Sequence, residues 1–393
     1  MSLTEMILEF NNLLTAPMVV GTAPGRVNLI GEHIDYSGFS VFPMALDGKI
    51  TTCLMSLTKS GLLRMRNMDQ SKFNPIDIPL NDNNSLISSG WGKYVESSVK
   101  TFMRTFDFQC GGIDLMISGS VPHASGLSSS ASLICSIMVA LDKISGKNIP
   151  KSDLVASSIE AEHRVGVMCG GMDQAVSVFG EKGYACMISF LPTLQVKNVK
   201  LPEAYFIVAH SHQSSAKVET ADNCYNRRVV EVSRCAELMQ PGCKSIGEVV
   251  AKHGFQKSLE IANSLPEKEG VLVLRNRAIH VITEAQRVLQ MEGSSIQEWG
   301  KLMSESHISC KDLYNCSCES LDALVEAGLK CGALGGRLTG AGWGGCTVFM
   351  ISKEMNPDSF ITNLKKEFYE PRGIENPIVF ATEPGQGAQA RIL

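Results

Sequence analysis

The 393-residue sequence has no large excess of charge of either sign, because 36 Lys and Arg are set against 40 Asp and Glu. Proteins that hold nucleic acid through its phosphates usually carry a basic surplus, so we expect no nucleic-acid partner. No run of about 18 apolar residues is present, and the first residues, MSLTEMILEF, do not have the pattern of a signal peptide. We therefore expect neither a membrane span nor a leader. A small anionic ligand is compatible with this charge balance, because backbone N–H groups can bind an anion without net positive charge on the protein.

The 13 cysteines lack the pattern of a disulfide scaffold, since they are scattered and odd in number. His307, Cys310, Cys316 and Cys318 fall close together, but their H-x2-C-x5-C-x-C spacing is not that of a standard structural zinc site. Helical cysteines that pack as small apolar residues explain this stretch more simply. We therefore expect reduced thiols in a cytoplasmic protein.

A chain of 393 residues, 44% of them hydrophobic, is longer than the chains that usually fold around a single hydrophobic core. We therefore expect two domains. Alternating or continuous apolar runs predict strands over residues 17–30, 41–46, 50–57, 111–122 and 205–211. Helical spacing predicts helices over residues 126–146, 152–167, 226–240 and much of 268–330. This order favours α+β layers over a doubly wound sheet, with a domain boundary near residues 185–200.

The first of three unusual clusters is PGRVNLIGEHIDYSG, residues 24–38, where Arg26, Glu32, His33 and Asp35 follow a buried-looking strand. One interpretation is a solvated turn with surface ion pairs. The other is a sugar site, because carboxylates and imidazole make directional hydrogen bonds to vicinal hydroxyls. Polar groups beside a buried strand are costly unless they are used, which keeps the second interpretation open.

The second cluster, VPHASGLSSSAS, consists of a strand end, a turn and the start of a serine-rich helix. Successive N–H groups at a helix N-terminus can bind an anion, and Gly126 would let the backbone approach it closely. The hydroxyls of Ser128, Ser129 and Ser130 can donate to phosphate or ligate magnesium. The cluster has no P-loop lysine, and a helix cap without any ligand is the alternative interpretation.

The third cluster, LTGAGWGGCTV, happens to match G-x-G-x-x-G, but apolar and β-branched residues typical of a strand follow it. A dinucleotide fingerprint opens a helix instead, so we favour a glycine loop that closes over a ligand. Between the second and third clusters lies CGGMDQ, where Asp173 follows two glycines. Asp173 either faces a cleft or accepts hydrogen bonds within a local turn.

In this order, the motifs GRVNLIGEHIDY, GLSSSAS and LTGAGWGGC resemble those of the galactokinase family of the GHMP small-molecule kinases, and the resemblance runs over nearly the whole chain. It implies a two-domain α+β fold, residues 1–190 and 191–393, with the active site in the interdomain cleft and a glycine loop at residues 338–346. It also implies ATP-dependent phosphorylation of the anomeric hydroxyl of galactose to galactose 1-phosphate. EHIDYSGFSVFPMA and SHISCKDLYNCSCESLD resemble the eukaryotic branch that holds fungal galactokinases and animal N-acetylgalactosamine kinases.

The resemblance implies ATP and Mg²⁺ as well, with Asp173 as catalytic base and Arg26 beside it. The residues implied to bind the sugar are Arg26, Glu32, His33, Asp35, Gly171, Asp173 and Tyr225. Those implied to bind the nucleotide are Trp91, Gly126, Leu127, Ser128, Ser129, Ser130 and Ala131, and those implied to ligate Mg²⁺ are Ser130 and Glu162. We expect a monomer that binds a sugar and MgATP.

Two other functions remain open on the sequence. An N-acetylgalactosamine kinase would have a roomier pocket at C2 of the sugar, and EAEHRVGVMCGGMDQ resembles that group. SSAKVETADNCYNRRVVEV instead resembles fungal galactokinases, with Tyr225 where the N-acetylgalactosamine kinases tend to have Phe. The other function is that of a non-catalytic galactose and ATP sensor. The fungal relative of that kind has a disrupted serine-rich motif, whereas Ser129, Ser130 and Ala131 are intact here. We favour the galactokinase.

Overall fold

The structure is a computed structural model that describes residues 2–80, 85–215 and 224–393. Its strands, in chain order, are β1 (Val19–Ile30), β2 (Phe42–Leu57), β3 (Leu62–Asn67), β4 (Ile76–Pro79), β5 (Ile113–Gly119), β6 (Tyr184–Ser189), β7 (Gln195–Lys200), β8 (Ala204–His210), β9 (Lys268–Glu269), β10 (Leu272–Val273), β11 (Gly335–Thr339), β12 (Cys346–Ser352), β13 (Val379–Thr382) and β14 (Gln389–Ile392). Its α-helices are α1 (Leu3–Leu13), α2 (Gly92–Thr105), α3 (Ser129–Ser145), α4 (Lys151–Val165), α5 (Met172–Phe179), α6 (Tyr225–Met239), α7 (Ile246–Ser264), α8 (Arg275–Met291), α9 (Ile296–Ser309), α10 (Glu319–Lys330) and α11 (Pro357–Leu364).

The first sheet has the strand order β14-β1-β2-β5-β3-β4. Its pairs are antiparallel except that β3 runs parallel to β5. Helix α3 packs on β1 and β2, and α2 and α4 pack beside α3. Apolar side chains such as Phe102, Ile117 and Met138 form the core between this sheet and its helices. The sheet therefore fixes the end of β1 and the start of α3 next to each other.

A second sheet, β11-β12-β8-β13, packs against α10 and α11 around Phe349 and Phe360. The two sheets meet where β1 ends, because the N–H of Asn28 donates to Thr339 Oγ1 on β11 at 2.8 Å. Residues 31–38, which follow β1, consequently lie beside the glycine loop that joins β11 to β12.

Several predicted elements are confirmed, and two are corrected. Strands β1, β5 and β8 appear where the apolar runs predicted them. The separate strands predicted at 41–46 and 50–57 are one strand, β2, because both halves pair with β1 across a register shift. The helix predicted from residue 126 begins only at Ser129, since Gly126 and Ser128 have φ of 75° and 58°, which are incompatible with a right-handed helix.

The helices predicted over 152–167 and 226–240 correspond to α4 and α6, and the region 268–330 contains α8, α9 and α10. The architecture is the predicted α+β arrangement of layered sheets and helices. Within the described residues, no helix is both long and apolar enough for a bilayer. The division of the chain between residues 190 and 191 stays a prediction.

Candidate active site

One cavity brings together every residue that the sequence analysis assigned to the sugar. Its lining consists of Arg26, Glu32, His33, Asp35, Cys169, Gly171, Met172, Asp173, Tyr225 and Ala341. These residues come from β1 and the turn after it, from the start of α5, from the start of α6 and from the glycine loop. Residues far apart in the chain therefore converge on a small polar site.

Arg26 and Asp173 form a buried ion pair at the bottom of this cavity. The Nε and Nη2 groups of Arg26 both donate to Asp173 Oδ1, at 2.8 and 2.7 Å. The third donor, Nη1, reaches the carbonyl oxygen of Gly126 at 2.6 Å. One guanidinium therefore connects the carboxylate in this cavity with the loop that precedes α3.

Asp173 lies in the first turn of α5, which begins after the pair Gly170 and Gly171. The carboxylate of Asp35 accepts the N–H of Met172 at 3.3 Å. A Cβ at Gly170 would come within 2.5 Å of Asp35 Cγ, so only glycine permits this approach. Gly171 has φ of 114° and stands directly before the helix. The two glycines thus let Asp35 and Asp173 face the same space.

Glu32 is buried, and its carboxylate is paired with Arg337 of β11. Arg337 Nη1 lies 3.1 Å from Glu32 Oε2, which also accepts the side-chain amide of Asn28 at 3.2 Å. Burial raises the pKa of Glu32, and the positive charges of Arg337 and Arg26 oppose this increase.

His33 has φ of 63°, an uncommon conformation for a residue with a side chain. Its Nε2 donates to the carbonyl oxygen of Ala341 in the glycine loop at 2.9 Å, since a carbonyl can only accept. Its other ring nitrogen, Nδ1, is hydrogen-bonded with the hydroxyl of Tyr36 at 2.8 Å. His33 therefore ties the turn after β1 to the glycine loop, and its ring forms part of the cavity wall.

Tyr225, the first residue of α6, closes one side of the cavity. Its ring centroid lies 5.4 Å from that of His33 and 5.7 Å from that of Tyr36. Burial, followed by the nearby charge of Asp35, raises the pKa of Tyr225 well above its ordinary value. The hydroxyl is therefore protonated at neutral pH. Residues 216–223 of the stretch compared with fungal galactokinases lie outside the described residues.

The loop before α3 and the glycine loop are in backbone contact. A Cβ at Gly340 would fall 2.3 Å from the carbonyl oxygen of Gly126, and one at Gly345 would fall 2.6 Å from that of Ser125. Ser128, at the start of α3, is buried, and its hydroxyl has no hydrogen-bond partner among the residues that the structure describes. A buried orphan hydroxyl at a helix N-terminus fits a binding site for an anion.

The other residues predicted to bind the nucleotide lie at the start of α3, except Trp91. Leu127 and Ala131 are buried, and the carbonyl oxygen of Leu127 accepts the N–H of Arg26 at 3.1 Å. Ser129 is half-buried in the first turn of α3. Trp91 stands just before α2, 6.1 Å from the ring of Phe73, which in turn lies 6.1 Å from the ring of His123. The indole N–H of Trp91 is also buried without a partner in the described part of the chain.

Ser130 and Glu162 are in direct contact. Ser130 Oγ donates to Glu162 Oε1 at 2.7 Å, and the amide of Gln174 donates to Oε2 of the same buried carboxylate. Over the described ranges, no cluster of three His, Cys, Asp or Glu side chains suits a metal ion. A hydroxyl and a carboxylate nevertheless fit Mg²⁺, which takes one or two protein oxygens and completes its shell with water and phosphate.

The cysteine-rich stretch has a packing role in this structure. His307 Nδ1 accepts the N–H of Leu338 at 3.3 Å, and its Nε2 faces Asp322 at 3.3 Å. Cys310 and Cys316 are fully buried, and Cys316 Sγ donates to the carbonyl oxygen of Cys310 at 3.5 Å. All 13 cysteines are free thiols.

Sequence reasoning missed the residues that surround the cavity without lining it. Arg337, Glu284 and His280 are fully buried and contact the turn after β1. Tyr314 lies behind His33 with a ring separation of 4.9 Å. The one available signal was the His280–Glu284 spacing of four residues within a predicted helix, which puts both side chains on one face.

Three parts of the chain match known protein families. Residues 93–181 match the family described as GHMP kinases N terminal domain, and residues 285–370 match GHMP kinases C terminal. Residues 9–55, which include the turn after β1, match the galactokinase galactose-binding signature.

Whole-chain comparisons give the same result. A galactokinase of Dictyostelium discoideum is 32% identical over 95% of this chain and 90% of its own length. One from Saccharomyces cerevisiae is 31% identical over 95% of this chain and 91% of its own length. A Lactococcus lactis galactokinase complexed with galactose superposes with a TM-score of 0.86 at 28% identity, covering 98% of this chain and 99% of that one. A Methanococcus jannaschii mevalonate kinase, at 20% identity and a TM-score of 0.59 over 94% of this chain and 99% of its own, shares the fold. The chain therefore belongs to the galactokinase family of the GHMP kinases.

Proposed function

We propose that this protein transfers the γ-phosphate of ATP to the anomeric hydroxyl of galactose, giving galactose 1-phosphate. The observation that carries the proposal is the guanidinium of Arg26, which holds Asp173 in the sugar cavity and the Gly126 carbonyl of the loop before α3. A sugar in the cavity and a phosphate on that loop would both lie beside Arg26. The likeness to the Lactococcus lactis galactokinase, which was solved in complex with galactose, supports the choice of sugar.

In the proposed reaction, Asp173 orients the anomeric hydroxyl and accepts its proton as the hydroxyl oxygen bonds to the γ-phosphorus. The bond between that phosphorus and the bridging oxygen breaks, and ADP leaves with the electron pair. Phosphoryl transfer passes through a loose transition state, so positioning and charge stabilisation supply most of the catalysis. Arg26 supplies the positive charge for the transferring group.

The nucleotide site rests on the start of α3. The backbone N–H groups of residues 126–131 and the orphan hydroxyl of Ser128 would bind the phosphates. Ser130 and Glu162 would hold Mg²⁺, which would neutralise phosphate charge when bound. Trp91 is the candidate adenine neighbour. A cytoplasmic location and a monomeric state remain predictions from the sequence.

The proposal is tested by giving the purified protein MgATP with galactose, N-acetylgalactosamine, glucose or mevalonate in parallel. We expect ADP release with galactose, and a product whose phosphate is on O1 by ³¹P and ¹H NMR. Phosphate on O6, or turnover of no hexose, would contradict the proposal. Faster turnover of N-acetylgalactosamine would make the protein an N-acetylgalactosamine kinase instead.

Two alanine variants should separate the nucleotide site from the sugar site. Ser130→Ala should mainly weaken the use of MgATP, because it removes the hydroxyl beside Glu162. Asp35→Ala should mainly weaken the use of galactose, because it leaves sugar hydroxyls without a partner in a desolvated site. Titration of each substrate at a saturating level of the other gives the two KM values. If both variants weaken the same substrate, the assignment of the two sites is wrong.

Tyr225 should contribute to discrimination at C2 of the sugar. A pocket shaped for galactose has no room for the acetamido group at C2, so this group would clash with the cavity lining. Overpacking of this kind costs about 1–3 kcal/mol, which corresponds to about 5–150-fold weaker binding. We therefore expect galactose to exceed N-acetylgalactosamine by at least ~10-fold in kcat/KM. Tyr225→Ala should reduce this ratio, whereas Tyr225→Phe, which removes only the hydroxyl, should retain it. An unchanged ratio in Tyr225→Ala would leave Tyr225 as a packing residue only.

A further inference from the structure

We propose that His280 and Glu284 of α8, together with Arg337 of β11, are positioning residues that hold the sugar-binding turn Gly31–His33. The inference rests on the proposed function, since it concerns the affinity of that site for galactose. None of the three residues lines the cavity. They reach the sugar through the turn that carries Glu32.

The backbone of Glu32 is held on both sides by α8. Its N–H donates to Glu284 Oε1 at 3.2 Å, and the preceding N–H, of Gly31, donates to the same oxygen at 2.9 Å. Its carbonyl oxygen accepts from His280 Nε2 at 3.1 Å. His280 and Glu284 lie four residues apart, so side chains on one face of α8 form hydrogen bonds with both the N–H and the carbonyl oxygen of Glu32.

The turn needs such support because the backbone of His33 is strained. Gly31 has φ of 103° and His33 has φ of 63°, so Glu32 stands between two residues in left-handed conformations. Strained conformations persist only where the surroundings fix them. Without the acceptor at Glu284 and the donor at His280, Glu32 would lose its defined direction toward the cavity.

Both helix side chains have the protonation state that this role needs. Burial alone would raise the pKa of Glu284, but the positive charges of Arg287 and Arg337 prevail and lower it to about 2. Burial lowers the pKa of His280 to about 4, so its ring is neutral at neutral pH. Ser309 Oγ, 2.8 Å from Nδ1 of His280, can donate to that nitrogen, which leaves the proton on Nε2 facing Glu32.

Arg337 fixes the side chain of the same residue. Its Nη1 is 3.1 Å from Glu32 Oε2 and donates to the carbonyl oxygen of Asn28 at 3.1 Å. Its Nη2 lies 3.9 Å from Glu284 Oε1, so the guanidinium stands between the two carboxylates. The backbone and the carboxylate of Glu32 are therefore fixed by one connected group of buried charges.

The test compares two substitutions of His280 with a packing control. His280→Phe keeps a ring but leaves the Glu32 carbonyl without its donor, and we expect the KM for galactose to rise about 10-fold. The KM for ATP should change less than about twofold, since the hydrogen bonds of His280 go to Glu32 and Ser309. His280→Gln offers an amide donor and should recover most of the galactose affinity. Met291→Ala, at a buried position in the last turn of α8, should lower Tm without changing the KM for galactose.

Ser309→Ala provides a milder second variant if His280→Phe does not fold. It removes the donor that fixes the tautomer of His280, and we expect a rise of about threefold in the KM for galactose. The inference is overturned if the folded variants keep the wild-type KM for galactose, or if the KM for ATP rises as much. A wild-type protein that phosphorylates no sugar would instead contradict the proposed function, so the two failures are distinguishable.

Discussion

Asp173→Asn should lower kcat for galactose phosphorylation by at least ~10², which corresponds to about 2.7 kcal/mol of transition-state stabilisation. The amide keeps the shape of the side chain but cannot accept the proton of the anomeric hydroxyl. It also loses the charge that holds Arg26, whose Nε and Nη2 both donate to Asp173 Oδ1. The KM for ATP should change little, because the nucleotide loop keeps its own backbone contacts.

Asp153→Asn is the matched control for this variant. Asp153 lies in the first turn of α4, as Asp173 lies in the first turn of α5, but it is exposed and outside the cavity. The control reproduces the loss of a carboxylate from a helix N-terminus, an effect of only about 0.3–1 kcal/mol. Steady-state kinetics give kcat and KM for both variants, and circular dichroism checks that both are folded. If Asp173→Asn retains most of the wild-type kcat, Asp173 is neither base nor orienting group.

The residues that line this cavity could be singled out from the sequence because they stand next to local signals. Arg26 and Glu32 belong to a strand and the turn after it, and Asp173 follows a glycine pair. Each signal is complete within about ten residues of chain. Convergence of these segments could be expected from their order in the family that they resemble, and their chemical roles remain predictions.

The supporting residues could not be predicted as such, because the four-residue spacing of His280 and Glu284 does not show what that helix face contacts. Glu284 lies 253 positions from Gly31, whose N–H it accepts, and in the sequence it belongs to an ordinary amphipathic helix. Arg337 precedes the glycine loop in a strand that is buried at every position, where an arginine is unusual. Only tertiary structure shows that Glu32 and Glu284 supply the negative charge that Arg337 needs.

Helices α1 and α5 were not predicted, and the reasons differ between them. The pattern S-x-x-E at Ser2 and Glu5 is a capping box, and both of its hydrogen bonds are present at the start of α1. The signal for α1 was therefore available in the sequence. No such signal marks α5, because the glycines before it resemble a turn and its eight residues are too few to show a helical period.

Arg26→Ala should also lower kcat by at least ~10², and in addition it should destabilise the fold. The variant leaves Asp173 as a buried carboxylate without its cation, a change that typically costs about 3–5 kcal/mol. Arg26→Lys retains the charge, but one ammonium cannot reproduce donors that reach both Asp173 and the Gly126 carbonyl. We therefore expect only partial recovery of kcat in the lysine variant.

The double variant Arg26→Ala/Asp173→Asn separates catalysis from folding. Neutralising Asp173 removes the carboxylate charge that has lost the Arg26 cation, so the double variant should be more stable than Arg26→Ala alone. Its kcat should nevertheless stay at least as low as that of the worse single variant, and the two losses should not multiply, because the pair acts as one unit. The wild type, the two single variants and the double variant are compared by urea unfolding, which measures stability, and by single-turnover kinetics, which measure the chemical step. Recovery of kcat together with stability would mean that neither the Asp173 carboxylate nor the Arg26 guanidinium is needed for the chemical step, and that Arg26→Ala loses activity only through the buried charge it leaves behind.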